Sequence, residues 1–241
     1  MVVVGIPTLH RYDLLGECLN SLRASSELVA KAIVIDNGGE LTTEEGFPWP
    51  LEVIRPGRNI GVAASWNLLR RLAGEQDLVL LNDDVRLAAD TLGRMIDAPG
   101  PLVSVSATPG FEERRSHRSI LVFDWSCFLQ RKELWDELGP YDETFWPAGE
   151  EDNDYWYRMI LAGRSVTRLA PKGMTHAAKG SNRELSPRER RSFEIGWSLS
   201  RQYYISKWGG PSGSEHFRRP FDGAPLPHVR PIAELAGGLP A

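Results

Sequence analysis

The sequence predicts an α/β protein built on a Rossmann-like, doubly wound and mainly parallel sheet. Three observations carry that expectation. Short apolar runs recur at 2–6, 32–35, 51–54 and 78–81. Segments with apolar residues at helical spacing lie between them, as at Leu14, Leu15, Cys18, Leu19 and Leu22. Turn residues close the runs, as in Asp36-Asn37-Gly38-Gly39. Strand and helix in regular alternation imply βαβ crossovers and helices on both faces of the sheet.

Taken in order, VVVGI (2–6) is a β-branched buried strand and a helix follows from Asp13. Strands at 32–35 and 51–54 come next, then a loop entering a helix over 59–72, then the wholly apolar strand 78–81. The second half has another rhythm. Strands are expected at 102–106, 120–128 and 165–169. A short helix at 132–138 is stopped by Gly139-Pro140, and a longer one at 150–162 by Gly163. Ser186-Pro187-Arg188-Glu189 is a capping box with proline at the first helical position, opening a helix that runs to about Trp208. Six prolines from Pro211 onward predict a mostly extended tail, wrapped on the surface or partly disordered.

At roughly 100–200 residues per domain, 241 residues make one domain with a tail. The expected division is a domain over 1–210, with a first half at 1–100 and a second at 101–210, and a Pro/Gly-rich tail at 211–241. A net charge of -4 argues against a surface built wholly for nucleic acid. Cys18 and Cys127 are too few for a disulfide framework or a zinc site of their own. MVVVGIPTLH shows no signal-peptide pattern, and no apolar stretch approaches the roughly 18 residues of a membrane-spanning helix. The expectation is a cytoplasmic protein, with peripheral attachment at a membrane left open.

Open parallel sheets bind ligands outside the carboxyl ends of their strands. The residues there are Thr8 to Tyr12 after the first strand, Asp36-Asn37 after the second, and Asn82-Asp83-Asp84 after the fourth. Adjacent acids at the mouth of a buried strand repel one another unless a cation is present, and oxygen ligands suit Mg2+ or Mn2+. The alternative is a solvated acidic turn. In PAGEEDNDYWYRMILAG (147–163), the acids Glu150, Glu151, Asp152 and Asp154 crowd a helix start. Capping explains some of them, and crowding with burial can tune one toward a general base. His176 follows the last strand among Lys172, Lys179 and Arg183. It is either a satisfied structural residue or a ligand to a metal or an anion. The chain has no GxGxxG, no GxxxxGK[ST] and no GxSxG, which argues against dinucleotide dehydrogenases, P-loop NTPases and α/β-hydrolases.

In chain order over about the first 210 residues, six segments resemble the GT-A-fold glycosyltransferases of family 2. They are VVVGIPTLHRYDLLGECLNSL (2–22), VIDNGG (34–39), NIGVAASWNLL (59–69), LLNDDV (80–85), residues 126–163 and RQYYISKWGG (201–210). The resemblance implies a GT-A fold with an acceptor-side subregion, and an inverting transfer from a UDP-, dTDP- or GDP-sugar assisted by Mn2+ or Mg2+. Thr8, Arg11 and Asp36 would hold the nucleobase and ribose. Asp84 would be the metal aspartate with Asp83 nearby. Asn82, where the family usually has an aspartate, would contact the ribose. Asp152, with Glu151 beside it, would be the catalytic base, and His176 a further metal or diphosphate contact. Lys179 and Arg183, with Arg188, Arg190 and Arg191, would close over the diphosphate or meet an anionic acceptor, or would simply form a solvated face. The acceptor stays open among a glycan, a lipid-linked sugar, a protein, a small molecule and a modified nucleobase. Two other functions are weighed: a non-catalytic nucleotide-sugar-binding protein, and a sugar-1-phosphate nucleotidyltransferase. The latter would need a glycine-rich basic loop where PTLHRYD stands.

Overall fold

The computed structural model describes residues 1–42, 46–106, 125–169, 173–176, 185–225 and 231–235. Its first half runs β1 (Val2–Thr8), α1 (Tyr12–Ser21), a 3-10 turn (Leu22–Leu28), β2 (Val29–Asp36), β3 (Leu51–Ile54), α2 (Gly61–Ala73) and β4 (Leu78–Leu81). Then come β5 (Val85–Leu87), α3 (Thr91–Asp97), β6 (Leu102–Val105), β7 (Cys127–Gln130), α4 (Lys132–Leu138) and α5 (Glu151–Leu161). The order closes with β8 (Val166–Leu169), β9 (Met174–His176), α6 (Pro187–Trp208) and α7 (Ile232–Leu235).

Seven strands form one sheet in the order β3-β2-β1-β4-β7-β6-β8. β1 pairs in parallel with β2 and β4, β2 with β3, and β6 with β8. In this sheet β7 is reversed, antiparallel to both β4 and β6. This is the doubly wound, mainly parallel sheet that the alternation predicts. Its strands read as unbroken apolar runs because successive side chains enter opposite buried faces. Val79 and Leu81 join the core on one face, with Leu15, Leu19 and Met95. Leu78 and Leu80 join the other, with Trp66, Leu69 and Tyr155.

Several expectations shift. The strand expected at 120–128 starts at Cys127, and residues 120–124 lie outside the described residues. β5 and β9, each three residues long, form a separate two-stranded antiparallel sheet that the apolar pattern does not show. The tail is not extended throughout. It makes a 3-10 turn at Pro220–Gly223 and the short α7, whose Ile232 is buried beside Tyr204 and Trp208 of α6. Both cysteines are free and buried. Among the described residues no helix is long and apolar enough to cross a membrane.

Candidate active site

Because β1, β2 and β4 are parallel, their carboxyl ends emerge along one edge and bring their polar residues together. Thr8, the last residue of β1, donates its hydroxyl to Asp83 Oδ2 at 2.7 Å. Asp83 and Asp84 follow β4 and are both 4% exposed. Burial pushes the Asp83 carboxyl up to about 7; the Thr8 hydrogen bond opposes the shift and the charge of Asp84 adds to it. Arg11 is nearly buried, hydrogen-bonds to Asp13 and lends Asp83 a compensating charge.

The small sheet completes this corner. β9 pairs with β5 so that His176 stands opposite Val85. His176 Nε2 therefore lies 3.0 Å from Asp84 Oδ1, and its Nδ1 lies 3.5 Å from Ser126 Oγ. The Ser126 carbonyl accepts the Asn82 amide at 2.8 Å, which ties the start of β7 to the same turn. The structure thus joins Thr8, Asn82, Asp83, Asp84 and His176. Ser126 belongs with them, and the sequence hid it by placing it inside the strand expected at 120–128.

Asp36 stands one strand over, where its carboxylate holds the turn that follows β2. Its Oδ1 accepts from Tyr12 Oη at 2.8 Å and from the Gly39 amide at 2.9 Å, while Oδ2 accepts the Leu41 amide at 3.0 Å. It is 1% exposed and folds its own turn. Its neighbour Asn37 makes the outward link: Asn37 Oδ1 accepts the Ile60 amide and its Nδ2 donates to Ser65. The start of α2 then carries the link on, since the Val62 amide donates to Pro147 O at 2.8 Å and Trp146 Nε1 to Asn59 O at 3.2 Å. Through these bonds the acid-bearing loop before α5 is fixed to the same rim as the Asp83 corner.

The four acids of that loop separate by environment. Glu150 sits at the N-cap with φ 72° and accepts from Asn153 Nδ2. Asp154 is fully buried, bonded to Arg158, Trp208 and Lys207. Asp152 is half-buried, and its Oδ1 accepts the Asn153 amide at 2.7 Å. Glu151 is buried, and its Oε2 has no hydrogen-bond partner among the described residues. Burial, reinforced by the charge of Asp152 and opposed by two backbone amides, pushes the Glu151 carboxyl up to about 8.

That shift predicts a pH effect on stability. Glu151 has an ordinary value of 4.5, so the folded state keeps a proton that the unfolded chain releases. The stability tied to this proton is complete below about 4.5 and declines as pH rises through about 8. A glutamine at this position cannot ionise. Thermal melts of Glu151→Gln against the natural protein are therefore expected to favour the variant more at pH 8 than at pH 5. A difference that stays constant with pH would contradict the burial of an acid at this position.

Lys179 and Arg183 lie outside the described residues. The following helix still reaches the rim, since His10 Nε2 lies 2.8 Å from Glu189 Oε1 at the start of α6. The capping box predicted there is present, with the Ser186 and Glu189 side chains each bonded to the other residue's backbone.

A mainly parallel sheet with an acidic turn after β4 and an acid-bearing helix start at α5 fits the GT-A fold class. The family model described as glycosyl transferase family 2 matches residues 3–137, and the chain belongs to that family. A search of curated proteins by sequence finds no match. Among solved structures, the chain is similar to a mannosyltransferase from Pyrobaculum calidifontis in complex with GDP-Man and Mn2+, at 17% identity and a TM-score of 0.58. That match covers 82% of this chain and 63% of the mannosyltransferase, so the chain spans less than two thirds of that relative. It is also similar to S. aureus TarS 1-349 in complex with UDP-GlcNAc, at 15% identity, TM-score 0.54 and coverages of 86% and 75%. A third is the catalytic domain of Drosophila β1,4-galactosyltransferase 7 in complex with xylobiose, at 16% identity, TM-score 0.53 and coverages of 77% and 74%. At these identities the likeness is one of fold.

Proposed function

We propose that this protein is an inverting, metal-dependent glycosyltransferase, moving a sugar from a nucleoside-diphosphate sugar to an acceptor hydroxyl with Asp152 as base. The observation that carries the reading is the meeting of Asp84 and His176, from separate halves of the chain, beside a second buried carboxylate at the mouth of β4. The nucleotide sugars named with the similar mannosyltransferase and TarS structures, and the Mn2+ named with the former, support the same donor chemistry.

The described residues include no group of three or more His, Cys, Asp or Glu side chains placed to hold an ion. A carboxylate and an imidazole still fit Mn2+ or Mg2+ when the remaining ligands are water and substrate phosphates, the usual arrangement for ions that dehydrate reluctantly. Asp84 and His176 would hold the ion, which supplies Lewis-acid stabilisation of the departing diphosphate. Thr8 fixes Asp83 behind it, and the turn folded by Asp36 and Asn37 seats the nucleoside. Asp152 takes the proton from the acceptor hydroxyl as the acceptor oxygen bonds to C1 of the donor sugar. The bond from C1 to the diphosphate oxygen breaks, the nucleoside diphosphate leaves, and one displacement inverts the anomeric centre. Burial disfavours the charged form of Glu151, so the half-buried Asp152 is the one of the two assigned to the proton transfer.

Thermal-shift measurements with UDP-, dTDP- and GDP-sugars in the presence of Mn2+ test the donor assignment. Bound donor stabilises by mass action, by about 2.7 kcal/mol at a hundred times its Kd. Absence of a shift with all three sinks it. The metal role has its own check in calorimetry. Both EDTA and Asp84→Asn are expected to weaken nucleoside diphosphate binding by about tenfold or more, and unchanged affinity in the variant would release Asp84 from that role.

A further inference from the structure

α6 lies across the acid loop, and two glycines set how closely. A Cβ on Gly196 would stand 2.6 Å from Trp146 O and 2.5 Å from Pro147 Cδ, so only glycine allows the helix this approach. One residue on, Trp197 lies directly over Gly149, where a Cβ would stand 2.6 Å from the indole ring. Gly149 has φ 104°, a backbone region open to glycine. The indole is thus held two residues before Glu151, at the start of the helix that carries Asp152. Ser200 Oγ bonds to Trp146 O and extends the same contact.

For a ring held so closely, Trp197 remains strongly exposed, at 48%. Single exposed apolar residues need no explanation, but this one is not single. Phe193, one helical turn earlier and on the same face, stacks with it at a centroid distance of 6.2 Å and an interplanar angle of 27°. Phe193 also walls a cavity of about 640 Å³, bounded by apolar Leu9 and Trp146 and by polar Asn59, Arg188 and Ser192. An apolar floor with a few converging polar groups, in a cavity of this size, is the usual form of a small-ligand site.

We propose that Phe193 and Trp197 form the platform on which the acceptor is laid, and that the acceptor group placed there is a sugar ring. A pyranose has one face of C–H groups, which packs on aromatic rings, and an edge of hydroxyls, which needs polar partners. The strip and the cavity offer both, and Trp197 of the strip covers Gly149, three residues before the carboxylate assigned to take a hydroxyl proton. A protein side chain or a flat nucleobase would use only part of this surface. The inference rests on the reading of Asp152 as base, and it narrows the acceptor to a glycoside.

The test uses the full chain with Mn2+ and UDP, GDP or dTDP, probed by saturation-transfer NMR with methyl glucoside, galactoside, mannoside, rhamnoside and N-acetylglucosaminide. At least one glycoside is expected to bind, to lose about tenfold or more in affinity with Trp197→Ala, and to keep most of its affinity with Trp197→Phe. Nucleoside diphosphate affinity, measured in parallel by calorimetry, is expected to be the same in all three proteins, which also shows that the variants are folded. Equal glycoside binding to the natural protein and Trp197→Ala, or no binding of any of the five, overturns the platform. Glycoside binding that depends on Trp197, in a protein that binds none of the nucleotides, upholds the platform and overturns the donor reading instead.

Discussion

Replacing Asp152 with asparagine is expected to lower transfer by about 10²- to 10⁴-fold, the range that a positioned general base supplies. Donor affinity should stay the same, because Asp152 belongs to the helix start and not to the Thr8–Asp83–Asp84 corner. The amide oxygen of the variant can still accept the Asn153 N–H now held at 2.7 Å, so the first turn of α5 keeps its geometry. What disappears is the basicity of the carboxylate, since a neutral amide oxygen does not take a hydroxyl proton. Glu151→Gln provides the contrast: burial pushes the Glu151 carboxyl well above its ordinary value, so glutamine replaces a group already biased toward its neutral form. That variant should retain most of its turnover. The measurement is nucleoside diphosphate release with acceptor present, alongside donor calorimetry. Full transfer in Asp152→Asn would move the base elsewhere, and loss of transfer in Glu151→Gln but not in Asp152→Asn would exchange the two assignments.

The strands of the sheet are readable because burial on both faces leaves no polar interruption, as at β1 and β4, and their order along the chain marks which residues gather at the carboxyl edge. Strand ends read short where the chain is amphipathic. β2 begins at Val29 and includes the polar Lys31, whose ammonium lies 3.1 Å from Glu52 on the neighbouring strand. β5 and β9 are invisible in the sequence because three residues carry no periodicity, yet their pairing is what sets His176 against Asp84. Sequence proximity supplies Asp83 next to Asp84, but not a histidine from the far half of the chain. The acids of α5 show the same limit. Four carboxylates in five residues are legible as an excess over capping. Their division into a cap, a buried acid, a half-buried base candidate and a structural anchor is set by the fold, the anchor Asp154 by Lys207 and Trp208, more than fifty residues later. The position of Asp36 at the end of a strand is legible in the sequence, whereas the bonds that fold its turn come from Tyr12, Gly39 and Leu41.

That structural anchor, Asp154, carries the largest expected effect on stability. Its Oδ2 accepts from Arg158 Nε at 3.0 Å, and its Oδ1 takes both Trp208 Nε1 at 2.9 Å and Lys207 Nζ at 2.6 Å. Lys207 is 2.7 Å from Asp142, whose Oδ2 also accepts from Tyr203 Oη at 2.9 Å. The cluster bolts the last turns of α6 to α5, the helix whose first turn bears Glu151 and Asp152. Asp154→Ala removes the acceptor for a buried indole N–H and one of the two counter-charges of a buried ammonium. Breaking a buried ion pair from one side destabilises by about 3–5 kcal/mol, because the surviving charge stays desolvated. Asp142 retains its hold on Lys207, so the lower end of that range is expected in chemical unfolding. If burial of an uncompensated charge is the cause, removing the ammonium as well should recover part of the loss. The double variant Asp154→Leu with Lys207→Met is therefore expected to be more stable than Asp154→Leu alone. A double variant whose loss equals the sum of the two single losses would show that the charges are uncoupled. In that case α6 would be held on α5 by the packing of Tyr203, Tyr204 and Trp208 alone.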